Sequence, residues 1–179
     1  MNRPFVVVSG LPGSGKTALA RKLAPPLGLP LIDKDEILER LFESQGGGDA
    51  AWRRMLSRES DRILQAEAGA SHGAVLVSHW RLPGMRADSG TPVDWLPDLT
   101  DRIVHVRCVC PVRVAAERFV RRQRHPAHLD AKSYQEVVRS LEEVERLGSL
   151  VLGTRIEIDT SGRIDLDAAL REIRGALAR

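Results

Sequence analysis

The segment Gly10-Leu11-Pro12-Gly13-Ser14-Gly15-Lys16-Thr17 constrains this chain more than any other, because it satisfies G-x-x-x-x-G-K-[ST] at every position. It follows residues 5–9, a short continuous apolar run of the kind that forms a buried parallel strand. It precedes residues 18–24, which read as a helix stopped by Pro25-Pro26. The glycines at 10, 13 and 15 open backbone conformations closed to other residues, so successive N–H groups can turn toward phosphate oxygens. Lys16 then reaches the β- and γ-phosphates, Thr17 offers its hydroxyl to Mg²⁺, and the helix that starts beside them aims its positive end at the same anion. Gly10, Pro12, Gly13, Ser14, Gly15, Lys16, Thr17 and Ala18 are therefore the expected nucleotide-phosphate contacts.

The rest of the chain alternates strand-like and helix-like segments. A brief second strand at 29–32 runs into Asp33-Lys34-Asp35, and helical spacing over 36–42 lasts until Gly46-Gly47-Gly48. A long helix is expected over 50–70, a third strand at 74–77, and a connection rich in Pro, Gly and Asp over 81–100 that lies on the surface near the site. A fourth strand at 103–109, helices at 112–122 and 133–147, a fifth strand at 155–159 and a last helix at 166–177 complete the pattern. Such alternation predicts an α/β architecture, a mostly parallel sheet with helices on both faces and right-handed crossovers. With 179 residues, one domain spanning 1–179 is expected. A composition of 42% hydrophobic and 28% charged residues excludes disordered and fibrous classes. No apolar run approaches the roughly 20 residues that span a bilayer, and Met1-Asn2-Arg3 leads into a strand rather than a signal peptide, so a cytoplasmic location is expected. Cys108 and Cys110, two apart in a strand, point to one face and read as core residues, not as a disulfide or a zinc site.

Phosphoryl transfer needs a base as well as a phosphate cradle. Asp33 and Asp35 stand at the end of the second strand, which in a parallel sheet is the edge where ligands bind. Asp35 is assigned the role of accepting the substrate proton, and Asp33 that of holding Mg²⁺ waters or orienting the acceptor; the spacing leaves open which is the base, and either can instead cap the helix that follows. The third strand runs into Ser78-His79-Trp80-Arg81 with no acid after it, unlike motor ATPases that hold magnesium or activate water from that position. Arg113, Arg118, Arg121, Arg122 and Arg124 cluster in a patch suited to phosphates.

The phosphate loop followed by Leu31-Ile32-Asp33-Lys34-Asp35 resembles the small P-loop kinases, a group with chloramphenicol phosphotransferase-like, polynucleotide-kinase-like and gluconate- or shikimate-kinase-like members. The resemblance implies a three-layer α/β/α fold, a five-stranded parallel sheet in the order 2-3-1-4-5, a helical lid at about 118–132 and Mg-ATP as donor. Glu117-Arg118-Phe119-Val120-Arg121-Arg122 also resembles the start of the lid in adenylate-kinase-like enzymes, which implies that Arg118 stacks on the adenine and that Arg122 meets the phosphates in catalysis, beside Lys16. One helical turn separates them, so both can face one site. By the same resemblance Asp159-Thr160-Ser161-Gly162 borders the base, with Thr160 and Gly162 as contacts, and Arg40, Trp52, Arg53, Arg58 and Arg62 lie near the acceptor. The expected partner is a small molecule with a hydroxyl group. A polynucleotide 5′-hydroxyl is the alternative acceptor, disfavoured because Leu38 stands three residues after Asp35 where polynucleotide kinases have arginine; a non-catalytic ATP-binding switch is the other alternative.

Overall fold

A computed structural model describes residues 3–122, 125–128 and 133–178. Five strands, β1 (Phe5–Gly10), β2 (Leu31–Asp33), β3 (Ala74–Val77), β4 (Ile103–Val109) and β5 (Thr154–Asp159), form one parallel sheet in the order β2-β3-β1-β4-β5. The helices among the described residues are α1 (Lys16–Leu27), α2 (Lys34–Gln45), α3 (Ala50–Ala70), α4 (Val112–Arg121), α5 (Tyr134–Arg146) and α6 (Leu166–Leu177), with a 3₁₀ turn at Pro126–His128.

The continuous apolar character of β1 has a direct cause in packing. Val6 and Val8 face one layer with Leu19, Leu23, Leu170 and Ile173 of α1 and α6, while Phe5 and Val7 face the other with Leu64 and Ala68 of α3 and with Leu96. A strand buried on both faces cannot alternate polar and apolar residues. Each fully buried Val or Leu in these layers contributes about 1.5–3 kcal/mol relative to exposure. Cys108 belongs to the first layer as a free thiol, and burial pushes its pKa up to about 12, which suits a core residue.

Two expectations need correction. Helix α1 does not stop at Pro25-Pro26; it continues to Leu27 and is capped by Gly28, whose N–H donates to the Ala24 and Pro25 carbonyls. The prolines deprive the carbonyls of Arg21 and Lys22 of partners, but both residues are exposed and water can serve instead. The Pro26 carbonyl also accepts from Arg174 of α6 at 2.6 Å. Nor is the connection over 81–100 merely superficial. A β-bridge joins Trp80 to Thr91, Trp80 and Leu96 are buried, and Trp80 Nε1 donates to the Val8 carbonyl at 2.9 Å. The hydroxyls of Ser78 and Thr91 share a buried hydrogen bond. The segment leaving β3 is thereby tied to β1 next to the phosphate loop.

Candidate active site

The loop between β1 and α1 starts as the sheet ends. Ser14 N–H donates to the Leu11 carbonyl at 2.9 Å, and Gly15, left-handed at φ 88°, caps α1. Gly13 has φ 85°, and a Cβ there would lie 2.1 Å from the Ala115 carbonyl of α4, so the loop rests against backbone where only glycine fits. Lys16 points into the bowl above the sheet, its Nζ 3.5 Å from the Leu11 carbonyl. Although its side chain keeps some solvent contact, loss of hydration lowers its pKa, nearby Arg122 lowers it further, and Asp35 and Asp33 oppose the shift.

The two carboxylate oxygens of Asp33 have different surroundings. Its Oδ1 accepts the Asp35 N–H at 2.9 Å, so it is the N-cap of α2, while Oδ2 is buried with no hydrogen-bond partner. Burial raises its pKa to about 6, with the Asp35 charge adding to the rise; the Asp35 N–H and the Thr17 hydroxyl oppose it. The β2–β3 register sets Asp33 opposite Val77, which brings Ser78 and His79 beside the two aspartates.

Lys16, Thr17, Asp33, Asp35, His79 and Arg122 line one cavity of about 310 Å³. Phe119 of α4 and Val137, Leu141 and Val144 of α5 give it an apolar wall, with Pro12 at the loop and Arg53 of α3 and His128 on another side. His79 is held uncharged, its pKa lowered to about 4 by burial and then by the charges of Lys16 and Lys34. Arg122 sits over the Phe119 ring at 5.4 Å. Arg118 donates to the Thr160 and Ser161 carbonyls at 2.8 and 2.9 Å, gripping the loop after β5. Arg118, Thr160 and Gly162 therefore form a second group outside the cavity lining, and Ala18 is exposed on the first turn of α1.

The residues expected near the acceptor divide. Arg53 lines the cavity and donates to the Ala127 carbonyl. Arg40 pairs with Glu67 at 3.4 Å and Arg62 with Glu59 at 3.0 Å, both on the exposed surface, and Trp52 packs edge-on to Phe42. Leu38 is buried with Leu56 and Ala127. Arg121 faces Glu117 on the exposed side of α4, and Arg124 and part of the expected lid lie outside the described residues. Sequence reasoning did not single out Phe119 as a cavity residue or the α5 wall; the amphipathic spacing of α5 marks an apolar face without showing what it faces.

The model of an AAA-domain family matches residues 5–144. A shikimate kinase of Corynebacterium glutamicum is 40% identical over 78 residues, which cover 40% of this chain; the chain spans 43% of that relative's length. A solved structure of a candidate kinase from Chloroflexus aurantiacus superposes with a TM-score of 0.79 at 27% identity, covering 98% of this chain and 99% of the other. The shikimate kinase of Acinetobacter baumannii, solved with shikimate, has the same fold, with a TM-score of 0.59 at 20% identity over 98% of this chain and 93% of its own. No described helix is long and apolar enough to cross a membrane. With sheet order, phosphate loop and family model in agreement, the chain belongs to this AAA-domain family, and its fold is that of the small P-loop kinases it is similar to.

Proposed function

We propose that this protein transfers the γ-phosphoryl group of Mg-ATP to a hydroxyl of a small molecule. The observation that carries the reading is that Asp35 shares one cavity with Lys16, Thr17 and Arg122, so a carboxylate and the phosphate-binding groups face the same space. Asp35 accepts the acceptor's proton. Lys16 is poorly hydrated and has Arg122 nearby, so the negative charge of transferring phosphate relieves an existing electrostatic cost; both side chains stabilise the charge that develops on the phosphoryl oxygens. His79, neutral and in the same cavity, can exchange a hydrogen bond with the acceptor without adding charge.

The buried, unpartnered Oδ2 of Asp33 beside the Thr17 hydroxyl fits a hard cation. Thr17 and Asp33 would hold Mg²⁺, directly or through water. Among the described residues no group of three or more His, Cys, Asp or Glu is placed to hold a metal, which suits an ion that takes most of its oxygens from phosphates and water. When bound, Mg²⁺ neutralises phosphate charge. Arg118, anchored on the loop after β5, is suited to lie against the base, with Thr160 and Gly162 on the same loop.

The test is an ATP-consumption screen over sugars, small hydroxy acids, nucleosides, hydroxylated antibiotics and oligonucleotides. Phosphorylation of one small-molecule class, abolished in Asp35→Asn, is expected. Tight ATP binding with no acceptor phosphorylated, and no change in Asp35→Asn, would favour a nucleotide-dependent switch instead. Leu38 in the core argues against a polynucleotide 5′ end, since no arginine is offered there.

A further inference from the structure

Helix α2 opens with a buried cation. Positions 34, 37, 38 and 41 form the side of α2 that packs inward, and Ile37, Leu38 and Leu41 occupy three of them. The first is Lys34, 8% exposed, between the two aspartates at the head of the cavity. Its Nζ lies 2.6 Å from Asp61 Oδ1 and donates to Ser57 Oγ at 3.2 Å, both on α3. Arg53, Ser57 and Asp61 follow one another at one-turn spacing, so a single face of α3 carries the arginine that lines the catalytic cavity and the two groups that hold Lys34. Arg53 and Asp35 bear on the Lys34 charge with opposite signs. Replacing a buried ion pair by apolar side chains of similar volume is often neutral or stabilising, so stability does not account for this one. What the pair supplies is geometry, because a charge-assisted hydrogen bond fixes distance and direction where apolar contacts leave both loose. Neighbouring residues of a helix stand about 100° apart around its axis, so an anchor on Lys34 also sets where Asp35 points.

We propose that Lys34 is a positioning residue: held by Asp61 and Ser57, it fixes the rotation of the first turn of α2 and thereby the placement of Asp35 against Arg53 across the cavity. These two cavity residues stand on different helices, and the connection between the helices contains Gly46-Gly47-Gly48, whose permissive backbone imposes little orientation. The Asp33 cap on the Asp35 N–H acts only within the turn and does not reach α3. The proposal deepens the kinase reading and rests on it for the role of Asp35; the placement of the turn can be read without turnover.

The test uses the full chain with Mg-ATP and water as the acceptor, read as phosphate release, together with hydrogen exchange of the Asp35 amide. The central variant, Lys34→Met/Asp61→Leu, removes both charges at once and strands neither. It should melt at or above the parent temperature, with KM for ATP changed less than about threefold, while kcat falls about tenfold or more. The Asp35 amide should exchange about tenfold faster relative to the amides of β1. Lys34→Met alone leaves the Asp61 carboxylate unpaired and should lose stability as well as kcat. Ser57→Ala keeps the ion pair and should lower kcat about threefold with an unchanged melt, which decides the matter if the double variant does not fold. A double variant with parental kcat and parental exchange overturns the proposal, because the pair then only packs the helices. So does a rise in KM for ATP with kcat unchanged, which would place Lys34 on the donor side. A parent chain that neither phosphorylates an acceptor nor hydrolyses ATP counts against the kinase reading, and the exchange of the Asp35 amide then decides the placement by itself.

Discussion

On the loop side of the cavity, position is set by backbone: Gly13 packs on the Ala115 carbonyl, Gly15 caps α1, and β1 fixes where the loop begins. On the acceptor side it is set by side chains from separate elements, with Asp35 on α2, Arg53 on α3, His79 after β3 and the α5 wall. Backbone tolerates no change of residue where a Cβ would collide, whereas a surface assembled from side chains can be rebuilt without disturbing the sheet. One side is therefore suited to a constant donor and the other to an acceptor that differs among relatives of the same fold.

The sharpest way to break this division is Asp35→Asn. It should lower kcat by about a thousandfold, while nucleotide affinity, measured by calorimetry, changes less than about threefold. A parallel loss of affinity would mean that the two sides are not separable. Gly13→Ala should do the reverse, weakening nucleotide binding about a hundredfold and destabilising the fold by about 2–4 kcal/mol in denaturant titration, since φ 85° and the 2.1 Å approach to Ala115 leave no room. Arg53→Gln tests the acceptor side alone: KM for the acceptor should rise about tenfold with KM for ATP unchanged, and a matching rise for ATP would remove Arg53 from that side.

Asp33 gives a smaller effect, governed by pH. Burial lifts its pKa from 3.8 to about 6, so the fold favours the neutral acid; that stabilisation is complete below about 3.8 and lost as pH rises through about 6. A cation needs the carboxylate, so magnesium affinity should climb across the same window as the proton leaves. Asp33→Asn can keep the cap on Asp35 N–H, and it should flatten that climb and stabilise the metal-free chain at pH 7.5 by about 1–3 kcal/mol. Thermal melts and magnesium titrations at pH 5 and 7.5 read both.

The loop side was legible because its information is local: eight consecutive residues between a strand and a helix specify both the turn and its ligand. The strand at 74–77 was legible for a related reason, since burial on both faces leaves a continuous apolar run. Helix α1 outran its prolines because the groups they leave unsatisfied face water, which no propensity rule records. Asp33 could not be divided between cap and ligand from spacing, because it has two oxygens and uses one as the cap while the other stays buried and unpartnered. Arg40, Arg53, Arg58 and Arg62 looked equivalent as a group, and only their partners separate them: Glu67 and Glu59 hold two of them at the surface.

The contact between Gly13 and the Ala115 carbonyl also constrains motion. Helix α4 carries Arg118 and Arg122, and it leans on the loop through main-chain atoms that have no rotamers to absorb a displacement. A shift of the helix must move the loop, and a loop held rigid by phosphate must hold the helix. Any movement of Arg118 and Arg122 is thereby coupled to the position of the phosphate loop.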